Sequence, residues 1–496
     1  EPEMTTTESR TDELLVAHLL RRAGFGGTAA DLQRFSKLGY EDAVDQLIDA
    51  IDTASLPQDL IRRYHIDQSD LRTRGSSAGN WLYQMVTTDA PFIEKMNLFW
   101  HRVFATGQTK LIQGKAMSTH LDMLRAHGLG KFDDLLLNLS RDPAMIMWLD
   151  NQDNHKDSIN ENYGREILEL FSMGAGNYTE EDIKECSRAF TGWTVANTDY
   201  MALKMRNNTM RPYGYVNWQF KFDPDDHDDG EKTFLGETGN FNGEDIIAII
   251  CKNPATAGFI ARHLYHYFIA DELPVPQWSH FPPLNPQAIE VMTHAYFESG
   301  HSIKAMLRAL FLSDSFKSPV SRNARVKSPI ELVVGTIRLA GGYDSPTSDV
   351  YDHIAASGYM GQDIYAPPSV EGWMGGADWI STGSMVMRVN FAGEIIGNLE
   401  SPGVQSLIAS IRSDAGSSPT SDSLVRSSLK NLGELQVADD TRNGLKEYTE
   451  NVILSPSKDD ESADIVNSGT HPSIISNSAI ASLLQLIVAT REYQFV

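Results

Sequence analysis

The chain has 496 residues, of which 66 are acidic and 42 basic, for a formal net charge of -24. That balance argues against broad binding to nucleic acid or anionic membranes, which needs basic surface, and suits an extracellular or saline setting or a cation-rich ligand. Two cysteines are too few for a disulfide framework, and no run approaches the ~18 apolar residues of a membrane span.

Residues 1–10 are polar and read as a frayed tail. Thr11 can cap a helix carrying Leu14, Leu15, His18, Leu19 and Ala23, which stops at Gly24-Phe25-Gly26-Gly27, with His18 as a satisfied structural histidine. Short helical patterns follow at about 28–36 and 40–50, then a charged, weakly periodic stretch at 59–77 and a short helix at 79–88. Pro91 stands at a helix start, where its missing N–H costs nothing. The helix it opens, PFIEKMNLFWHRVFAT, is almost continuously apolar, interrupted by His101 and Arg102. His101 is either packed with one hydrogen bond or reaches into a site. Further amphipathic helices cover 117–126 and 132–139, with a short element at 143–149. Polar residues 150–158 then lead into a central hairpin and are placed to shape the entrance of a pocket.

That hairpin spans residues 160–193, NENYGREILELFSMGAGNYTEEDIKECSRAFTGW. In its first helix Tyr163, Ile167, Leu170 and Phe171 recur at helical spacing and face a core. Asn162, Glu166 and Glu169 fall together beside that stripe, with Arg165 one step further round. Thr179, followed by Glu180, Glu181 and Asp182, starts the second helix. The pattern supports either two amphipathic helices with solvated acidic flanks, or a polar pocket lined by Asn162, Glu166 and Glu169 and closed by Trp193. Cys186 and Cys251 both lie in apolar helical patterns, which favours two buried thiols over one bridge.

After Trp193 the helical period fails. Residues 194–200 and 218–222 alternate and read as a short two-stranded excursion, with Arg206 and Arg211 in the loop between. The run Asp223, Asp225, Asp226, His227, Asp228 and Asp229 is the strongest metal-like signal, because hard cations take converging carboxylates and an imidazole extends the choice to transition metals. It is not an EF-hand: His227 occupies the third position, and Gly236 stands where the bidentate Glu is required. His227 is a natural general base, with Asp228, Glu166 or Glu169 available to orient it and Lys232 close by. The donor set for a divalent metal is His227, Asp225, Asp228 and Glu166; a solvated acidic turn is the alternative.

Helices resume at 243–251, 254–268, 287–298, 301–311 and 328–340. His263 and His266 are three apart on the second of these; that spacing can chelate, but no HExxH pattern is present. Residues 343–384 are rich in Gly, Pro, Ser and Trp and read as ordered but irregular. There, Trp373 and Trp379 among small residues would suit stacking on a sugar or other flat ligand, or a tightly packed loop. Residues 385–399 and 477–489 are helical, and 401–475 is Ser- and Asp-rich with weaker patterns. No GxSxG elbow, Walker loop, Rossmann fingerprint or CxxC pair appears, nor any internal repeat. The expected architecture is mainly α: a large multi-helix assembly with a small β-hairpin excursion and long irregular loops. Its organisation would be a tail at 1–10, one helical domain at 11–400 with the β excursion at about 192–236, and a region at 401–496 whose C-terminal helices pack on the main domain.

Several long segments resemble a bacterial family known as domain of unknown function 1800. They are HLLRRAGFGGTAADL at 18–32, NLFWHRVFATG at 97–107, the whole hairpin at 160–193, HDDGEKTFLG at 227–236, FNGEDIIAIICKNPATAGFIARHLYHYF at 241–268 and APPSVEGWMGGADWI at 366–380. The family pattern HD-x-G-x-K-x-FLG falls on His227, Asp228, Gly230, Lys232, Phe234, Leu235 and Gly236. Its Asn-Glu-Asn and Arg-Glu pairs fall on Asn160, Glu161, Asn162, Arg165 and Glu166. One departure is His263, where members commonly carry Lys or Arg; a phosphate or sulfate contact there would become pH-dependent. The resemblance implies a mostly helical, often exported protein, frequently encoded beside a sulfatase-like partner, and it brings no activity.

These readings lead to an exported hydrolase, metal-dependent or not, acting on a decorated (for example sulfated) carbohydrate or similar polar substrate. His227, Asp228, Glu166, Glu169, Arg165 and Lys232 would carry the chemistry. Asn162, Trp193, Trp373, Trp379, His101 and His263 would meet substrate. The alternatives are a non-enzymatic binding or assembly partner of a sulfatase-like protein, and a transition-metal oxidoreductase whose second histidine comes from His101, His263 or His266.

Overall fold

The computed structural model describes residues 2–65, 74–111, 114–197, 218–454 and 475–496. These form a mainly helical assembly with two small antiparallel hairpins. Strands β1 (Trp193–Asn197) and β2 (Trp218–Phe222) pair with Trp193 opposite Phe222; β3 (Lys232–Phe234) and β4 (Glu237–Gly239) pair across a two-residue turn. Arg206, Arg211 and Tyr200 lie outside the described residues.

Helix boundaries follow their local signals. Pro91–Val103 and Pro254–Phe268 each begin on a proline, and Asn253 accepts a hydrogen bond from Ala255 N at 2.9 Å. Thr179 and Asp182 form a reciprocal capping box that starts the Glu180–Ala189 helix. Three elements differ from the sequence reading. The first helix runs from Pro2 to Ala23, so residues 2–10 are helical rather than a frayed tail: Pro2 is tolerated in a first turn, and no glycine interrupts the segment before Gly24. The second hairpin begins inside the HDDGEKTFLG segment and ends just beyond it; Leu235 and Gly236 both take positive φ at its turn. A helix at Val350–Tyr359 lies in the stretch read as irregular.

One continuous apolar core runs from Val16 through Trp100, Tyr163 and Leu264 to Val404, Leu424 and Leu484, so helices on both sides of residue 400 share it. Cys186 and Cys251 are buried free thiols within it. Crossing the core is a buried ionic knot. The Glu331 carboxylate accepts from Lys95 Nζ and Arg325 Nη2, and its other oxygen takes Ser328 N at 2.7 Å. All three charged side chains are buried. The two cations hold the Glu331 carboxyl far below the usual carboxylate range against the desolvation that would raise it. Arg102 is seven residues beyond Lys95 on the same helix, hence on the same face. The Lys95–Glu331 contact therefore sets the rotation that aims Arg102.

Removing one member of such a knot leaves a buried charge uncompensated. Glu331→Gln is expected to lower stability at pH 7 by about 3–5 kcal/mol. Because a depressed carboxylate stabilises above its unfolded pKa and loses that contribution as pH falls, the deficit should shrink in acid. Denaturant melts at pH 7 and pH 3 measure it; an equal deficit at both would remove the electrostatic account.

Candidate active site

Four of the sequence segments meet around the Asn162–Glu169 helix. That helix is strongly amphipathic: Tyr163, Gly164, Ile167 and Leu168 are buried, while Glu166 and Glu169 stay part-exposed. Arg165, which would otherwise neutralise them, is turned to Glu180 on the facing helix at 2.8 and 3.1 Å. The turn that follows comes directly onto the Pro254–Phe268 helix. At Gly174, φ is +78°, and a Cβ there would sit 2.7 Å from the Phe259 ring. Phe259 in turn stands edge-on to His263, with ring centroids 4.6 Å apart.

The segment 366–380 closes the arrangement from the other side. Gly372 has φ +83° and a Cβ there would sit 2.6 Å from the carbonyl oxygen of Arg102, so the loop rests on the last turn of the Pro91–Val103 helix. Exposed Glu371, the residue before it, is close enough to act on Glu166. Partial burial, then the charge of Glu169, push the Glu166 carboxyl up to about 7; Arg165 opposes them, and Glu371 adds a smaller raising effect. Glu166 has no ion pair among the described residues, whereas Glu169 accepts from Tyr178 Oη at 3.3 Å. A carboxyl half-protonated near neutrality can both donate and accept a proton.

The acidic run does not converge. Asp223 pairs with Lys221 at 2.9 Å, Asp226 with His155 at 2.5 Å, and Asp228 with Arg188 in a two-pronged contact at 2.7 and 3.1 Å. Asp225 and Asp229 are exposed. Three neighbouring cations thus answer the repulsion that suggested a metal. His227 donates Nδ1–H to Thr191 O at 2.8 Å, packs on Phe222, and among the described residues has no carboxylate orienting it, since Asp228 faces Arg188. Lys232, buried, donates to Asp228 O and to Gly230 O at 2.5 and 3.0 Å, clamping the loop on itself. Arg188 also binds Glu185, whose carboxylate accepts from Thr233 N at 3.1 Å. Asp228 and the backbone of Thr233 therefore fasten the 223–236 loop to the Glu180–Ala189 helix, His227 ties it to Thr191 just beyond that helix, and Lys232 closes the loop on itself. The charges acting on Glu166 include none from this loop. Among the described residues, no group of three or more His, Cys, Asp or Glu side chains is placed to hold a metal ion.

The residues expected to meet substrate also divide. Trp193 is buried, stacks edge-on to Phe190 and Phe220, and donates Nε1–H to Asn242 Oδ1 at 2.9 Å. Trp373 and Trp379 are 6% and 4% exposed, packed with Val326, so neither offers a face for stacking. His101 is 1% exposed, accepts from Tyr365 N at 3.4 Å, and is held well below its ordinary pKa, to about 3, by burial. It is the packed histidine of the two alternatives. Asn162 is exposed and donates to Leu149 O at 3.0 Å. Loop 150–158 pins the core rather than framing an entrance: Asn151 Nδ2 reaches Trp193 O at 2.8 Å and Asn154 Nδ2 reaches Ser187 O at 2.8 Å. His263 alone of the substrate set stays part-exposed beside the carboxylate helix's turn. His18 is structural, near Ser321 Oγ at 3.3 Å.

Sequence reasoning missed Glu371, Arg102 and Tyr178. Glu371 had one available signal, an acid set against Gly372 and Trp373 in a turn-rich segment. Arg102 was overshadowed by His101, its neighbour in sequence, which points into the core.

A helical protein with a carboxylate cluster where its longest sequence signatures converge is what fold and site define. The chain belongs to the family described as Protein of unknown function (DUF1800), whose model matches residues 18–495. No curated protein and no solved structure matches it. No helix among the described residues is long and apolar enough to cross a membrane.

Asp228→Asn and Lys232→Met are each expected to lower stability by about 1–3 kcal/mol, through lost charge-assisted hydrogen bonds. Melting curves and metal analysis of the purified variants check this. Unchanged metal content with a lower melting temperature is expected; metal lost with the Asp228 carboxylate would return the loop to a ligand role.

Proposed function

We propose that the protein is a hydrolase whose acid–base group is the Glu166 carboxyl, acting beside Glu169 and Glu371 on a decorated carbohydrate or similar polar substrate. The observation that carries this reading is a part-exposed carboxyl raised to about 7 with no ion pair among the described residues, one helical turn from a second carboxylate. Two neighbouring carboxyls are what cleavage of a glycosidic or ester bond needs: one gives a proton to the leaving oxygen while the other takes one from water or supports charge on the substrate. Glu169, which accepts from the Tyr178 hydroxyl, is the second carboxyl of the pair. No step is routed through a metal. An exported setting and a sulfatase-like partner belong to the same proposal and rest on the family resemblance.

A specific observation favours a second reading, an assembly partner. Phe281 and Leu284 are 51% and 64% exposed just before the Pro286–Glu298 helix, which also exposes Val291 and Phe297. Exposed apolar groups of this size suit a protein interface.

A screen of chromogenic glycosides, sulfate esters and carboxylic esters, run on wild type and Glu166→Gln, decides between them. The expected result is turnover with a pH limb near 7, lowered at least about 100-fold in the variant. Turnover unaffected by Glu166→Gln would refute the assignment. A second check needs no substrate. A carboxyl whose folded pKa is raised favours folding while protonated, and that advantage is lost as pH rises from its ordinary range through about 7. The melting temperature of Glu166→Gln should therefore gain on wild type between pH 5 and pH 8. Parallel curves would show that Glu166 titrates normally.

A further inference from the structure

Beside the carboxylate helix, the structure brings together nitrogen donors that lack acceptors. His266 is buried and its ring is contacted on both sides. The backbone N–H of Glu272 donates to its Nδ1 at 2.8 Å, so Nδ1 is bare and the ring proton sits on Nε2. Facing Nε2 at 2.9 Å is Arg102 Nη2, which can only donate. Two donors therefore confront each other at hydrogen-bonding distance, an arrangement that an acceptor oxygen reaching both would satisfy.

The surroundings agree. Arg102 makes no ion pair among the described residues, although the chain carries 66 acidic side chains. The nearby acid Asp271 lies against Gly376, 3.1 Å from where a Cβ would stand, and accepts from Val326 N at 3.4 Å. His263, three residues before His266, has a buried Nε2 without a partner. Gly375 borders Arg102 Nη2: a Cβ there would sit 2.6 Å from it, and since Gly375 has ordinary extended backbone at φ -147°, its missing side chain matters here only for space. Arg102 remains part-exposed, so a ligand can approach.

We propose that Arg102, His266 and His263 form an oxyanion-binding subsite, beside Gly375, that receives a sulfate, phosphate or carboxylate group of the ligand. The inference deepens the hydrolase reading and takes its location from it: Glu371 and Gly375 belong to one loop, so the subsite would hold the charged decoration of a substrate cleaved at Glu166. An arginine fork beside imidazole N–H groups matches such an oxyanion, and a neutral sugar hydroxyl would leave the cation uncompensated.

The test is binding of sodium sulfate, and separately sodium acetate, to the full chain at constant ionic strength set with sodium chloride. The readout is the histidine Cε1–H resonances, with His263 assigned through His263→Asn. Saturable shifts at His263 are expected with sulfate, with acetate or with both, and the pattern tells a tetrahedral from a planar group. Arg102→Met should weaken the response at least about tenfold, as loss of a charge-assisted hydrogen bond implies. Gly375→Ala supplies the second variant, since it crowds the guanidinium without removing charge, and should weaken binding in the same direction. No saturable response to either anion, or a response unchanged in both variants, would overturn the subsite. Binding is read without turnover, so this result stands apart from whether Glu166 is the acid–base group.

Discussion

The carboxylate of Glu331, sunk between Lys95 and Arg325, is the contact on which the arrangement of the site depends. Charges this far from water persist only when each is answered, so the knot fixes where the Pro91–Val103 and Pro329–Leu339 helices can lie. The Tyr267 ring, on the Pro254–Phe268 helix, stands 5.0 Å from the Arg325 guanidinium and 5.6 Å from the Lys95 amine, which ties a third element to the same point. From there about two helical turns lead to the surface: Arg102 shares a face with Lys95, and His266 neighbours Tyr267. A strongly acidic chain thus keeps a cationic interior, from which Arg102 reaches outward without an ion pair among the described residues.

Around this frame the carboxylate helix is held by contacts that glycines permit. Gly174 lets the turn after Glu169 touch Phe259, and Gly372 lets the Glu371 loop rest on the backbone of Arg102. Without those approaches Glu371 would not bear on Glu166, and the raised carboxyl would have lost one of its two like-charged neighbours. The clasp made by Asp228 with Arg188 and by Leu235 N with Asp182 serves a different purpose, fastening the second hairpin to the Glu180–Ala189 helix. Long sequence signatures in this protein therefore do two kinds of work, one at the carboxylates and one in the scaffold.

Much of the fold was legible because helices announce themselves locally. Proline at 91 and 254, capping at Thr179 and the apolar period of each segment placed those helices to within a few residues. The carboxylate pair was legible for the same reason, since Glu166 and Glu169 are neighbours on one helix. Which distant groups joined them was not. The adjacency of His227 and Asp228 suggested a dyad, yet Arg188 lies 40 residues away in sequence and takes the carboxylate. Five acids in seven residues suggested a cation, yet Lys221, His155 and Arg188 answer them separately. Trp373 and Trp379 sat among small residues that looked open, yet both rings are buried against Val326. Composition reports such groups without direction; only tertiary packing supplies it.

The measurement that bears most directly on the account is a carbon-detected pH titration of the glutamate side-chain carboxyls, with Glu166 assigned through Glu166→Gln. The account predicts a Glu166 midpoint near 7, shifted downward in Glu371→Gln because one like charge has been removed. A Glu166 midpoint in the ordinary carboxylate range, or one indifferent to Glu371, would contradict the claim that these segments converge on a functioning acid–base group.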